Sequence, residues 1–243
     1  MPSILPRHPN SLVSEFPTAA RHSHLVAAQN PNELFDIVTA YGAPTGAIKR
    51  RADVHRDGDW HRSIHVWIYG LDEGGPFLLF QRRGMDKDTW PGVLDATAAG
   101  HLSAGECVQD AFREIEEELG ICPDPARLQR IGTRICANEQ PPSTIDRELQ
   151  DVFFLRDDNP LDAFRPNPIE VDALVRLPLV ETLEFLGGHT PRVKGEMLLA
   201  ADRRQEPVTV TSACFVPTMI DRYYYRVAIA INAVLRGDRH VAV

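Results

Sequence analysis

Apolar and polar positions fall into order at Glu33. In 33–46, ELFDIVTAYGAPTG, they alternate and then break across Gly42–Gly46; in 47–54, AIKRRADV, the pattern returns, which predicts a β-hairpin. SIHVWIYG (63–70) and PFLLFQRR (76–83) predict two more strands, joined by a turn at Asp72-Glu73-Gly74-Gly75. A loop holding Trp90-Pro91-Gly92 leads to VLDATAAG, and one clear helix follows from about Val108 to Leu119, stopped by Gly120. RLQRIGTRICA and ELQDVFFLR read as strands, EVDALVRLPLVETLEFL as a strand running into a helix near Pro178, and IDRYYYRVAIAINAVLR (220–236) as an amphipathic helix closed by Gly237. Residues 1–30, rich in Pro, Ser, His and Asn, show no period and predict a mobile arm. The organisation expected is therefore an arm (1–30), a domain (31–190) and a C-terminal helical extension packed on it (191–243). Strands interleaved with helices predict an α/β (α+β) fold, a mixed β-sheet sandwiched between helices with an extra C-terminal helix.

Composition narrows the function more than the fold. Apolar residues make up 43% of the 243, enough for a core, and no apolar run reaches the ~18 residues of a membrane span. The first residues lack the continuous apolar stretch of a secretory signal. Cys107, Cys122, Cys136 and Cys214 form no CxxC pair and predict free thiols in a reducing cytoplasm. A net charge of −8 disfavours nucleic acid as a partner, and an anionic substrate would need cations to offset it.

The chemistry concentrates in GHLSAGECVQDAFREIEEELGI, residues 100–121. At helical spacing Glu114, Glu117 and Glu118 stand at i, i+3 and i+4, so their carboxylates converge within an arc of ~100°. Val108, Ala111, Phe112, Ile115 and Leu119 form a separate apolar stripe for the core. Converging carboxylates repel, and a hard divalent cation removes that repulsion; oxygen-only ligands suit Mg²⁺ or Mn²⁺. Taken by themselves, the three glutamates fit a solvated acidic face as well as a metal site.

The same residues carry a family resemblance. Gly100, Glu106 and the run Arg113-Glu114-Ile115-Glu116-Glu117-Glu118-Leu119-Gly120-Ile121 resemble the Nudix box, whose second half matches at every defined position. Six residues separate Glu106 from Arg113 where the family has seven, which puts the role of Glu106 in question. The resemblance implies a loop–helix–loop box on a mixed sheet between helices. It also implies metal-assisted attack of water on a diphosphate linkage, with Glu114, Glu117 and Glu118 on the metal and Arg113 orienting them.

Outside the box, roughly from Glu33 to Leu186, the chain is similar to the branch that contains isopentenyl-diphosphate isomerase. Arg82-Arg83-x3-Lys87 before the Trp-Pro-Gly turn resembles that branch's diphosphate-binding segment, and the similarity implies substrate contacts from Arg82, Arg83 and Lys87. His61 and His101 fall where the isomerases place metal-binding histidines, and His55 falls near a third. Glu148 aligns with an acidic residue used there for metal and proton chemistry, and Asp146 with its neighbour. The isomerases carry a catalytic cysteine directly before the Gly-His pair; this chain has Ala99 before Gly100-His101, and alanine offers no proton. The expectation is a Mg²⁺-dependent hydrolase acting on a small-molecule diphosphate, an isoprenoid diphosphate or a nucleoside diphosphate derivative, with Glu117 or Glu148 as base. The alternatives are an isomerase with a substituted acid and a non-catalytic diphosphate-binding module. The last helix, with Tyr223–Tyr225, has three uses open to it: docking on the domain, walling the pocket, or forming a homodimer interface.

Overall fold

A computed structural model describes residues 29–140, 144–216 and 221–243. The expected arm falls outside the described residues except for Gln29 and Asn30. The chain opens with the antiparallel hairpin of β1 (Leu34–Val38) and β2 (Pro44–Arg50). β2 stops at Arg50, and residues expected to continue it instead form helix α1 (Arg51–Asp57), closed by Gly58 in the left-handed conformation. The alternation of RRADV misled here because Arg51, Val54 and His55 are all buried on a single helical face.

The main sheet is built from β3 (Trp60–Asp72), β4 (Gly75–Arg83), β7 (Gln129–Gln140), β8 (Thr144–Arg156), β9 (Val171–Pro178), β10 (Val193–Leu199) and β11 (Gln205–Val210). Their order is β11-β10-β9-β4-β3-β8-β7, with the short β5 (Leu94–Asp95) on β4 and β6 (Ala98–His101) on β3. β3 and β8 run parallel, and the other pairings are antiparallel. Helix α2 (Arg113–Leu119) covers one face, while α3 (Leu179–Gly187) and α4 (Tyr223–Leu235) cover the other.

Strand alternation divides the core accordingly. Ile64, Val66 and Ile68 of β3, with Phe77 and Leu79 of β4, pack toward Ile115 and Leu119 of α2. Trp67, Leu78, Phe80 and Phe154 pack toward Tyr223, Tyr224, Val227 and Ile231 of α4. Apolar residues on both faces of a central strand give the near-continuous runs seen in the sequence.

Two further expectations are corrected. The box helix does not begin at Val108: a 3-10 turn at Asp110–Phe112 precedes α2, and the Asp110 carboxylate accepts from the Cys107 N–H (2.8 Å). Residues 191–243 are not a purely helical extension, because β10 and β11 join the sheet through β9. Glu196 and Lys194 on β10 break the apolar alternation that marks the inner strands. Of the last predicted helix, Tyr223–Leu235 is helical, and residues 217–220 lie outside the described residues. Among the described residues, no helix is long and apolar enough to cross a membrane.

Candidate active site

α2 lies beneath β6, and its glutamates rise toward the end of the sheet. Arg113 holds them together. Its guanidinium donates to Glu106 through Nε (3.1 Å) and Nη2 (3.2 Å), to Glu117 Oε2 (3.3 Å), and to Glu114. Glu106 therefore joins the cluster despite the shortened spacing, since the tight turn before α2 absorbs the missing residue. Its other anchor is the Ser103 N–H at 2.8 Å. The β1–β2 hairpin fixes this loop from above: Asp36 accepts from Gly105 N (2.8 Å) and Glu33 from Ser103 Oγ (3.0 Å).

Glu118 is 1% exposed and accepts from Ala99 N (3.0 Å), Gln81 Nε2 (3.2 Å) and Lys87 Nζ (3.4 Å). Glu114 lies under Gly100, where a Cβ would stand 2.5 Å from Glu114 Oε1 and closer still to its Cγ and Cδ. Only glycine lets β6 close down on this carboxylate. Burial and the charge of Glu118 push the Glu114 carboxyl up to about 8, and burial raises Glu118 as well. Two mutually repelling carboxylates, one buried and one half-buried, with oxygen ligands alone fit a hard divalent cation, which would relieve both penalties.

The basic residues divide. Lys87 is buried between Glu118 and Glu170, at the edge of the carboxylates. Arg83 is held by Thr89 O (3.0 Å), Thr89 Oγ1 (3.1 Å) and Asp95 (3.4 Å), and both Arg83 and Lys87 line the cleft. Arg82 does not: its guanidinium is buried against Asp172, and it is absent from the cleft lining. Consecutive strand residues cannot both face one cleft, so the expected three-residue anion clamp reduces to two.

A second cluster gathers beside the same cleft, whose lining includes His55, His101, Asp146 and Glu148. His61 donates from Nδ1 to Asp59 O (3.1 Å), which leaves Nε2 bare. That Nε2, His55 Nε2 and Asp146 Oδ1 are all buried without a hydrogen-bond partner among the described residues. They lie 3.8 Å (His61–Asp146) and 4.0 Å (His55–Asp146) apart. Donor atoms of His55, His61 and His101, and of His61, Asp146 and Glu148, fall within 4.8 Å of one another. Burial lowers His55 to about 4 and lowers His61, so both imidazoles are neutral and ready to ligate. Three convergent orphaned atoms with mixed nitrogen and oxygen donors fit a transition-series divalent cation better than Mg²⁺.

His101 arrives by a different route. Arg51 can only donate, so its 3.0 Å contact makes His101 Nδ1 an acceptor and leaves the proton on Nε2, aimed at Glu148 Oε1 (3.2 Å). As arranged, His101 supports Glu148, and it would reach a cation only by giving up one of these bonds. Phe35 stacks on both His61 and His101 at centroid distances of 5.3 and 4.8 Å. Glu148 also accepts from Ser63 Oγ (2.6 Å) and Gln150 Nε2 (2.7 Å); burial alone would raise it, but His101, His61 and Ser63 hold it well below the usual range.

Several cleft residues were not singled out from sequence: Arg51, His65, Asp95, Arg134 and Glu170. His65 had a signal, since it continues the two-residue spacing of His61 and Ser63 along β3. The others come from separate elements and left none.

The sequence profile described as the NUDIX domain matches residues 60–194, more than half of the chain. The chain belongs to the Nudix family. It is 40% identical over 164 residues to Nudix hydrolase 3 of Arabidopsis thaliana, covering 65% of this chain and 21% of that protein. It is 35% identical over 138 residues to an uncharacterized Nudix hydrolase of Clostridium acetobutylicum (57% and 66% covered). It is also 37% identical over 105 residues to an isopentenyl-diphosphate Delta-isomerase of Rhizobium rhizogenes (43% and 48% covered). The chain thus spans from a fifth to about two thirds of the length of these relatives. The Nudix fold expected from the box and the mixed sheet between helices is the one observed.

Proposed function

We propose that this Nudix protein is a divalent-metal-dependent hydrolase that cleaves the diphosphate linkage of a small-molecule substrate. The reading is carried by Glu118, buried, and by Glu114, half-buried beneath Gly100 and tied through Arg113 to Glu106 and Glu117. Glu114, Glu117 and Glu118 hold the metal, with Mg²⁺ favoured and Mn²⁺ a substitute. A bound divalent ion there supplies Lewis acidity to phosphoryl oxygens and acidifies water. Arg83 and Lys87 bind the diphosphate oxygens at the cleft wall, and Arg113 positions the glutamates.

Of the two carboxylates expected as base, Glu117 is favoured. Its side chain is 56% exposed and is bonded by Arg113, whereas both oxygens of Glu148 are already taken by hydrogen bonds. Glu148 instead belongs to the His61–His55–Asp146 end, where a second cation is assigned. Free thiols keep the cytoplasm as the expected compartment.

The similarity to isopentenyl-diphosphate isomerases and the histidine cluster favour one second reading, isomerisation. Ala99 at the cleft wall speaks against it, having no proton to give. The deciding experiment measures phosphate or monophosphate release from a panel of diphosphates, with Mg²⁺ and with chelator, for wild type and Glu118→Gln. Metal-dependent release that falls about 10³-fold in the variant, roughly 4 kcal/mol, is expected. Full turnover by Glu118→Gln would sink the assignment, and conversion of isopentenyl diphosphate to its isomer would establish the second reading.

A further inference from the structure

Glu118 gives its two oxygens to different neighbours. Oε2 accepts from Ala99 N (3.0 Å) and from Gln81 Nε2 (3.2 Å), a strand backbone and a fully buried amide. Oε1 has one partner among the described residues, Lys87 Nζ at 3.4 Å. An ion ligated by Glu118 therefore takes Oε1, at the ~2.1 Å of a Mg²⁺–oxygen bond. The side chains of Lys87 and Glu118 are 6% and 1% exposed, and two positive charges on one carboxylate oxygen repel strongly where water is scarce. Lys87 and the ion thus compete for the same atom.

Glu170 gives the ammonium a place to withdraw. It is the second carboxylate bonded to Lys87, it lines the cleft, and its side chain is 28% exposed. Its backbone is tied to both of the other partners. Gly84 N, at the start of the loop that carries Lys87, donates to Glu170 O (2.8 Å), and a Cβ on Gly84 would stand 2.5 Å from Ile169 O. Asn167 N donates to Glu118 O (2.9 Å), and Glu170 N donates to Asn167 O (3.0 Å). The two carboxylates and the base of the lysine are held in one frame, within which the four-carbon lysine stem supplies the freedom to move.

We propose that Lys87 is exchanged between two carboxylates: it neutralises Glu118 until a divalent ion takes that oxygen, then withdraws onto Glu170, a positioning residue that presents the ammonium to the diphosphate. This rests on the reading of the box as a metal site and of Lys87 as a diphosphate contact; what it adds is Glu170 and the exchange. An ammonium has three donors, so one spent on Glu170 leaves two for phosphoryl oxygens. The lysine is released to the diphosphate only when the ion is in place, and the two binding events reinforce each other beyond direct chelation.

The test uses the full chain with Asp146→Asn as background, so that only the carboxylate site takes an ion. The free-ion signal of Mn²⁺ in electron paramagnetic resonance gives the affinity without substrate, for this protein and with Lys87→Met, Glu170→Gln or both added, each first checked for cooperative unfolding. Lys87→Met removes the competitor and should bind Mn²⁺ about tenfold more tightly; Glu170→Gln removes the charge that draws Lys87 away and should bind it about tenfold more weakly. With Lys87→Met in place, Glu170→Gln should change the affinity by less than about twofold. The chain has three lysines, Lys49, Lys87 and Lys194, so lysine labelled with ¹³C at Cε reports the movement directly. Mg²⁺ without substrate should shift the Lys87 signal and leave the other two, and the shift should shrink in Glu170→Gln. An equal loss from Glu170→Gln with and without Lys87 overturns the proposal, because Glu170 would then act on the ion itself; so does a Lys87 signal that Mg²⁺ leaves in place, or no binding of either ion. Additive variants in a protein with metal-dependent diphosphate cleavage would sink the exchange and keep the hydrolase. The expected cycle in a protein that cleaves no diphosphate would do the reverse.

Discussion

Gly100→Ala probes the box without touching a carboxylate. The added Cβ would stand 2.5 Å from Glu114 Oε1, and closer to the carbons behind it. Ordinary contact needs roughly 3.5 Å and Glu114 Cγ and Cδ would stand at 2.1 Å, so the side chain must retreat by about 1.4 Å. Strand β6 cannot yield instead, since it is paired with β3 from Ala98 to His101 and its Ala99 N–H is bonded to Glu118. The end of a glutamate is flexible, so stability should change by no more than about 1 kcal/mol, part of it offset by the reduced freedom of the unfolded chain. Activity should change far more: a misplacement of about 1 Å in a reacting constellation costs about 10²-fold, or roughly 2.7 kcal/mol in the barrier. The assay is Mg²⁺-dependent release of phosphate or monophosphate beside a thermal melt. A cycle with Glu114→Ala sharpens it: a side chain that ends at Cβ removes every clashing atom, so the double variant should be little worse than Glu114→Ala alone. Wild-type turnover by Gly100→Ala would refute the reasoning, and so would strict additivity in the cycle.

Three further outcomes follow from the geometry. Glu114 titrates near 8 when folded without metal, against 4.5 when unfolded, so the folded state holds the extra proton and stability in chelator should fall as pH rises through that window. Buried His55 titrates in the opposite sense between about 4 and 6.5, so the quantity to follow is wild type minus Glu114→Gln; a flat difference, or one unaffected by Mg²⁺, contradicts the assignment. Asp146→Asn should lose one bound equivalent of Mn²⁺ by metal analysis after gel filtration, while Glu118→Gln keeps it; retention in Asp146→Asn would remove the second site. Trp67→Phe deletes the buried donor to Tyr223 and should cost about 1–3 kcal/mol in denaturant unfolding; a change under about 0.5 kcal/mol would mean the indole bond matters little.

The carboxylate cluster was legible because helical spacing turns i, i+3 and i+4 directly into proximity, and because Gly120 marks where the helix ends. The strands flanking it were legible for a similar reason, as apolar runs buried on both faces. What the chain did not disclose depends on contacts between distant elements. Arg82 and Arg83 are chemically alike, and only the strand geometry sends one to Asp172 and the other to the cleft. Arg51, which fixes the tautomer of His101 from fifty residues away, belongs to a helix that alternation had passed over as a strand. The β10–β11 hairpin escaped because exposed charges interrupt its pattern at the sheet's margin, where such charges also discourage further pairing.

Strand β3 gives the cleft a scale. His61, Ser63 and His65 point to the same side, at Asp146, at Glu148 and at Tyr223 respectively. Successive same-side residues are about 6.6 Å apart, so these three graduations span about 13 Å. A substitution at one of these positions leaves the other two in register, since each is paired with its own residue of β8: Glu148, Gln150 and Val152. Inserting a single residue directly after His61 would turn the scale over beyond that point, bringing Arg62 and Ile64 to the side that Ser63 and His65 now hold and breaking the parallel match of Ser63 with Gln150. Change at this site is therefore open to substitution and closed to slippage.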